Sequence, residues 1–490
     1  RRGSIMVGIL GANSVSGGYE IDNSLRLNDD DTPRFDKTLG TPTNTDKFTA
    51  SFWFKKCKIA AAQTVFGYDS GGTAQSYITF TSDDKLEYYN RLGSGNVTQF
   101  TTNRLFRDVS AWYHIVVAVD STDGTAGDRC KIYVNGVRET SFATSNFADQ
   151  NQNQNLNSAL AIRLFAWSSG EQVDGYISEL HFIDGAAKAP TDFGETNDNG
   201  VWIPINYSGT YGDNGYRFEF KQTGTDADAS GIGADTSGET NHWAVTNLAA
   251  TDVTTDTPTN NFCTLNSLDI DSTLPTLAEG NLDYHSANGT AFNPVRSTMA
   301  VTKGKWYAEW KYINTAGFLG VITTQSPLTG NIVSDANVRS VLRIPAGFYG
   351  VRNNSGSGTD IGDNSQTFSD DDIGQVALDM DNGYVYFGIN GTYLKGNDGS
   401  TTGDPAGNNG SAGGSANHVT QLMTDQHDGV IAFMAGDFTQ NTTGQIQCNF
   451  GNPPYAISSG NTDGEGYGNF EFAPPSGFFA LCTKNLAKYG

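Results

Sequence analysis

A chain of 490 residues exceeds what a single hydrophobic core organises, so more than one packed unit is expected. With 58 Gly, 28 Phe, 21 Tyr and only 17% charged residues, it suits short strands joined by many turns and not helical bundles. A formal net charge of −23 disfavours sequence-independent binding to nucleic acid or to an anionic membrane surface, and leaves room for Ca²⁺ or neutral glycans on oxygen-rich loops.

The chain opens on a Gly-rich, partly apolar stretch, residues 1–18, that precedes any alternating pattern and reads as a docking arm for a neighbouring protein. Its apolar run, Ile5 to Leu10, is broken by Gly8 and is too short for a signal segment or a membrane span. Export on an assembled particle, or release by lysis, is the expected route to the exterior.

From Tyr19 the sequence falls into strand-length runs with apolar residues at every second position: Ser51-Phe-Trp-Phe, Tyr77-Ile-Thr-Phe, Tyr113-His-Ile-Val-Val-Ala-Val and Lys131-Ile-Tyr-Val. The last run ends at Asn135-Gly136, a pair suited to the two positive-φ positions of a type I′ hairpin turn. From 191 to 264 the alternation weakens and Gly, Asp and Thr dominate, so an irregular connector is expected there. A second alternating region, 265–490, contains Gly383-Tyr-Val-Tyr-Phe-Gly-Ile followed by Asn390-Gly391, an echo of the first hairpin. Within it, 399–417 is nearly devoid of apolar residues and reads as an exposed loop. The fold class expected is all-β: two antiparallel jelly-roll sandwiches, 19–190 and 265–490, joined by the connector.

The five cysteines (57, 130, 263, 448, 482) form no Cys-x-x-Cys pair and are odd in number, which points to reduced core residues. Asp29-Asp30-Asp31 offers hard oxygens and makes Ca²⁺ the one candidate cofactor; without a defined loop spacing the triplet equally suits solvated charge. The six histidines are isolated, and His114 and His181, inside expected strands, read as hydrogen-bonded sheet residues. No nucleophile elbow or phosphate loop is present. Tyr and Trp can stack on sugar rings, and Tyr68, Tyr88, Tyr89, Trp167, Tyr207 and Tyr211 fall at loop or strand-edge positions, which makes them the ligand-contact candidates. Trp53, Trp112, Trp306 and Trp310 are assigned to cores.

Trp112-Tyr-His-Ile-Val-Val-Ala-Val-Asp, Cys130-Lys-Ile-Tyr-Val-Asn-Gly and Gly175-Tyr-Ile-Ser-Glu-Leu-His-Phe-Ile-Asp-Gly together resemble the laminin-G-like branch of the concanavalin A-like lectin/glucanase superfamily. Gly304-Lys-Trp-Tyr-Ala-Glu-Trp, the run from Gly374 to Gly391 and Cys448-Asn-Phe-Gly are similar to a SPRY-type sandwich. Between them, Gly200-Val-Trp-Ile-Pro, Tyr211-Gly-Asp-Asn-Gly-Tyr-Arg-Phe-Glu-Phe, Asn241-His-Trp-Ala-Val-Thr-Asn-Leu and Asp256-Thr-Pro-Thr-Asn-Asn-Phe-Cys resemble linker blocks of marine bacteriophage tail-fibre-like proteins.

The resemblance implies a virion tail fibre or receptor-binding protein on the particle exterior, docked to other virion proteins and oligomeric, with a trimer favoured. It would attach to host surface glycan or protein without inserting into a membrane. A capsid-decoration or tail-assembly protein is the first alternative and a polysaccharide-degrading glycosidase the second. Glucanases of the superfamily carry Glu-x-Asp-x-x-Glu, whereas Glu20-Ile21-Asp22 is followed by Leu25 at the third acidic position, so no enzyme activity is expected.

Overall fold

The structure is a computed structural model that describes residues 18–93, 97–167, 170–271, 275–286, 292–314, 316–328, 337–344, 347–351, 358–359, 367–393, 403–408, 429–437 and 444–490. The expected docking arm up to residue 17 and most of the expected 399–417 loop lie outside these residues. The chain divides into two compact units between Asn261 and Phe262.

The N-terminal unit contains β1 (Ser24–Leu27), β2 (Arg34–Thr38), β3 (Lys47–Lys56), β4 (Gln63–Asp69), β5 (Gln75–Phe80), β6 (Lys85–Arg91), β7 (Val97–Leu105), β8 (Trp112–Asp120) and β9 (Cys130–Val134). It continues with β10 (Val137–Arg138), β11 (Phe142–Asn146), β12 (Ala161–Leu164), β13 (Gly175–Asp184), β14 (Gly194–Thr196), β15 (Trp202–Pro204), β16 (Tyr216–Phe218), β17 (Ala244–Thr246) and β18 (Val253–Thr254). The first sheet runs β10-β9-β8-β3-β13-β1-β18, with β16 also on β13. The second runs β11-β7-β6-β5-β4-β12-β2-β17. All the pairings in both sheets are antiparallel.

Strand alternation creates the core between these sheets. Phe48, Phe52 and Phe54 of β3 and Ile115, Val117 and Val119 of β8 meet Ile78, Phe80, Leu86 and Tyr88 of the facing sheet in one buried cluster. The Asn135-Gly136 turn has φ of 47° and 77°, the positive pair that its sequence implied.

Residues 191–261 are not a connector: β16, β17 and β18 pair with β13, β2 and β1, and the segment folds as a strap on the first unit. Its Gly, Asp and Thr residues build turns, while irregularly spaced aromatics carry the burial. Phe193, Tyr207 and Tyr211 pack with Val116 and Ile183 on the outer face of the first sheet. Trp202 packs against a second cluster of Ile21, Trp53, Cys57, Trp112 and Tyr176. Trp53 and Trp112 are therefore buried under the strap and not between the sheets. A buried ion pair fixes the strap's end: Lys55 Nζ donates to Asp256 and to Asn261, each at 2.8 Å, and Trp112 Nε1 donates to Asp256 at 3.2 Å.

The C-terminal unit contains β19 (Leu265–Ile270), β20 (Thr276–Ala278), β21 (Asp283–His285), β22 (Val295–Val301), β23 (Lys305–Tyr312), β24 (Gly317–Thr323), β25 (Ser340–Ile344) and β26 (Gly347–Val351). Next come β27 (Gly358–Thr359), β28 (Ile373–Asp379), β29 (Tyr384–Ile389), β30 (Thr392–Tyr393), β31 (Ile431–Asp437), β32 (Gln445–Asn449), β33 (Phe479–Ala480) and the short helix α1 (Thr483–Tyr489). One sheet runs β19-β22-β31-β24-β25-β26-β27 and the other β20-β21-β32-β23-β28-β29-β30, with β33 parallel to β23. Trp306 and Trp310 sit in the core between them.

A strap recurs here. Phe470 and Phe478 cover Tyr307 and Tyr386. Glu309, whose carboxyl burial pushes up to about 7, accepts bonds from Phe472 N, Glu471 N, Asn449 Nδ2 and Tyr307 OH. All five cysteines are buried and unpaired. Among the described residues no helix is long and apolar enough to cross a membrane.

Candidate functional site

Period-two alternation sends every second residue of the second sheet outward, away from the core. Cross-strand pairing then sets Tyr77 of β5 opposite Tyr89 of β6. Their rings stack with centroids 4.8 Å apart, and the Trp167 ring meets Tyr77 edge-on at 5.2 Å. Gly67, opposite Tyr77 on β4, makes this possible, because a Cβ there would lie 3.1 Å from the Trp167 ring. The sequence supplies a side-chain-free position where the indole has to lie flat.

Trp167 forms one wall of an open groove of about 540 Å³, whose lining includes Asp36, Thr38, Gly67, Asp69, Ala161 and Arg163. At its β2–β12 side Asp36 accepts Arg163 Nε at 2.8 Å and Arg34 Nε at 3.0 Å, so a carboxylate and two guanidinium groups are held in place. On the far side of the tyrosines, Glu87 accepts Tyr77 OH at 3.1 Å and Gln99 Nε2 at 3.1 Å. Burial and the Glu87 carboxylate push the Tyr77 phenol up. An aromatic wall, small-residue floor and fixed polar groups can hold a sugar ring by its C–H face while bonding its hydroxyls.

Of the six aromatic candidates, the structure brings Trp167, Tyr89 and Tyr68 to this sheet. Tyr68 packs against the core at the groove's rim. Tyr88 is not at the surface: it is the inward neighbour of Tyr89, fully buried, with its hydroxyl bonded to Gln154. Tyr207 and Tyr211 are also buried, as strap residues on the opposite sheet, and Tyr211 OH lies 2.8 Å from His181 Nδ1. Adjacent residues of a strand face opposite sides, so one of Tyr88 and Tyr89 had to be internal.

Sequence reasoning missed Tyr77, Asp36 and Arg163. Tyr77 had a readable signal, since it occupies the alternate phase to Ile78 and Phe80. The other two come together only through pairing of β2 with β12, far apart in the chain.

The histidines on the first sheet are part of its packing. His114 lies 2.9 Å from Ser51 Oγ through Nε2 and accepts Trp202 Nε1 at 3.0 Å through Nδ1, and burial lowers its pKa to about 3. Burial also holds His181 well below the usual range.

The Asp29–Asp31 triplet does not converge on a cation. It forms a 3₁₀ turn in which Asp29 pairs with Lys58 and Asp31 accepts Asn28 Nδ2 at 3.0 Å. Asp30 and Asp31 are exposed, and among the described residues no three His, Cys, Asp or Glu side chains have metal-ligand geometry. Leu25, at the position of the glucanase acid, is fully buried in the core.

Comparison with curated protein sequences finds no match. Similar solved structures include the SPRY domain of human HERC1, 11% identical over 38% of this chain and 96% of that one, TM-score 0.27. They also include a heptameric pentraxin from Limulus polyphemus, 15% identical over 35% and 80%, TM-score 0.26. A third is domain 4 of AbnA, an arabinanase of Geobacillus stearothermophilus, in complex with arabinotriose, 21% identical over 30% and 64%, TM-score 0.23. Residues 27–191, which hold the groove and most of both sheets of the N-terminal unit, match the model of the concanavalin A-like lectin/glucanases superfamily, and this sandwich has that family's jelly-roll fold.

Proposed function

We propose that the chain is a non-enzymatic attachment protein that holds a cell-surface glycan in the groove beside Trp167. The observation that carries this reading is the Trp167 indole laid over Gly67 beside the stacked Tyr77–Tyr89 pair, within a lectin-like sandwich. The finer role follows the resemblance of the strap's sequence blocks: a bacteriophage tail fibre or related receptor-binding protein on the virion exterior. There it would be docked to other virion proteins and would act as an oligomer, a trimer by preference. A shallow open groove gives modest affinity for one sugar segment, and repetition on a particle raises it by avidity.

Adsorption of the purified full chain to arrayed bacterial surface polysaccharides tests both parts. At least one glycan should be retained, with no new reducing ends released from it. Trp167→Ala should weaken that binding by about tenfold, the loss of roughly one stacking interaction, with little change in the melting temperature. Equal retention of Trp167→Ala and the parent would remove the groove from the reading. Released reducing ends would replace attachment by hydrolysis.

A further inference from the structure

Three strand ends meet at one end of the first sheet in the N-terminal unit. β1 pairs with β13 through Leu25–Ile177, Arg26–Tyr176 and Leu27–Gly175, so the next step along the ladder sets Asn28 beside Asp174. On the other side of β13, Lys56 pairs with Gly175, Cys57 N donates to Asp174 O at 3.1 Å, and Lys58 follows directly.

Asp174 is 3% exposed, and its Oδ1 has no hydrogen-bond partner among the described residues. Its carboxyl instead touches the carboxyl of Asp29. Two carboxyl groups in contact cannot both ionise unless a cation lies between them. Lys58 supplies one positive charge from a side chain that is 45% exposed, enough to neutralise Asp29 alone. Burial and the neighbouring Asp29 accordingly push the Asp174 carboxyl up. The buried Asn28 Oδ1 adds a neutral oxygen at the same strand end.

We propose that Asp29, Asp174 and the Asn28 side-chain oxygen form a site for a hard divalent cation of the calcium class, with Lys58 as the placeholder the cation displaces. Two carboxylates and an amide oxygen supply part of a six- to eight-oxygen shell, and water and main-chain carbonyls complete it. The lysine stem is long and solvated, so the ammonium can swing into water when the metal enters. Binding would tie the ends of β1 and β13 and the 3₁₀ turn together. The site is independent of the glycan groove and does not rest on that reading.

The full chain, stripped with EDTA, should bind Ca²⁺ in a 1:1 calorimetric titration and melt at a higher temperature with Ca²⁺ present. Affinity should strengthen as pH rises, because Asp174 has to give up its proton. Asp174→Asn and Asp29→Asn should each lower the affinity at least tenfold, Asp30→Asn should leave it within about twofold, and Lys58→Met should keep or tighten it. Asp29 is partly exposed, so Asp29→Asn reads the site even if the buried substitution fails to fold. Absence of heat and of a melting shift at about 10 mM Ca²⁺, well above the weakest class of calcium module, would overturn the site. So would unchanged binding in Asp29→Asn, or loss of binding in Lys58→Met.

Discussion

The two outer faces of the N-terminal sandwich carry similar side chains to opposite ends. On the first sheet, Trp53, His114 and His181 lie under the strap of 191–261, with Phe193, Trp202 and Tyr211 packed on them. On the second sheet, Trp167, Tyr77 and Tyr89 have no strap above them, and an open groove runs beside Trp167. Composition does not separate the two faces. What separates them is whether a later stretch of chain has returned to cover the aromatics, and this converts one face into packing and leaves the other able to bind.

The covered face should fail first, and by most, when its ion pair is broken. Lys55 and Asp256 are both fully buried, so Asp256→Ala would strand an ammonium group in the interior. We expect a loss of about 3–5 kcal/mol of unfolding free energy. Urea denaturation of the parent and the variant measures it. A loss under about 1 kcal/mol would mean that the strap's end can loosen and hydrate Lys55 at little cost.

The same face should weaken in acid. The His114 imidazole in the folded protein takes a proton only near pH 3, whereas in the unfolded chain it does so near 6.5. Its folded pKa lies below its unfolded value, so the unfolded state gains protons first as the pH falls. The contribution of neutral His114 is complete above about pH 6.5 and is lost progressively down to about pH 3, at up to about 1.4 kcal/mol per pH unit. Urea midpoints measured from pH 7 to pH 4 should fall in the parent and fall less steeply in His114→Gln.

Much of the sandwich was legible because its signals are local. The alternation in Tyr113–Val119 and the Asn135-Gly136 and Asn390-Gly391 turns, with φ of 47° and 77° and of 49° and 85°, each lie within a few residues. The strap was not legible, because Phe193, Trp202, Tyr207 and Trp243 are buried at irregular spacing among turn residues, with no period to mark them. The groove was half legible. Aromatic type identified Trp167 and Tyr89, but the seat for Trp167 is Gly67, a hundred residues earlier in the chain. Asp174 was missed for a related reason: it begins an apolar strand, and only the pairing of β1 with β13 brings it to Asp29.

The smallest expected effect is the sharpest test of the comparison. Tyr77→Phe removes one hydroxyl, which donates to Glu87 at 3.1 Å, and leaves intact the ring that stacks on Tyr89. Glu87 keeps its bonds from Gln99 and Thr101, so no buried acceptor loses all its partners. The cost in stability should therefore be about 1 kcal/mol or less. Glycan retention should change by no more than a few-fold, since the hydroxyl faces Glu87 and not the Trp167 wall. A Tyr77→Phe variant that unfolded as readily as Asp256→Ala would show that the open face also bears load. The distinction between a face built for packing and a face left for binding would then no longer hold.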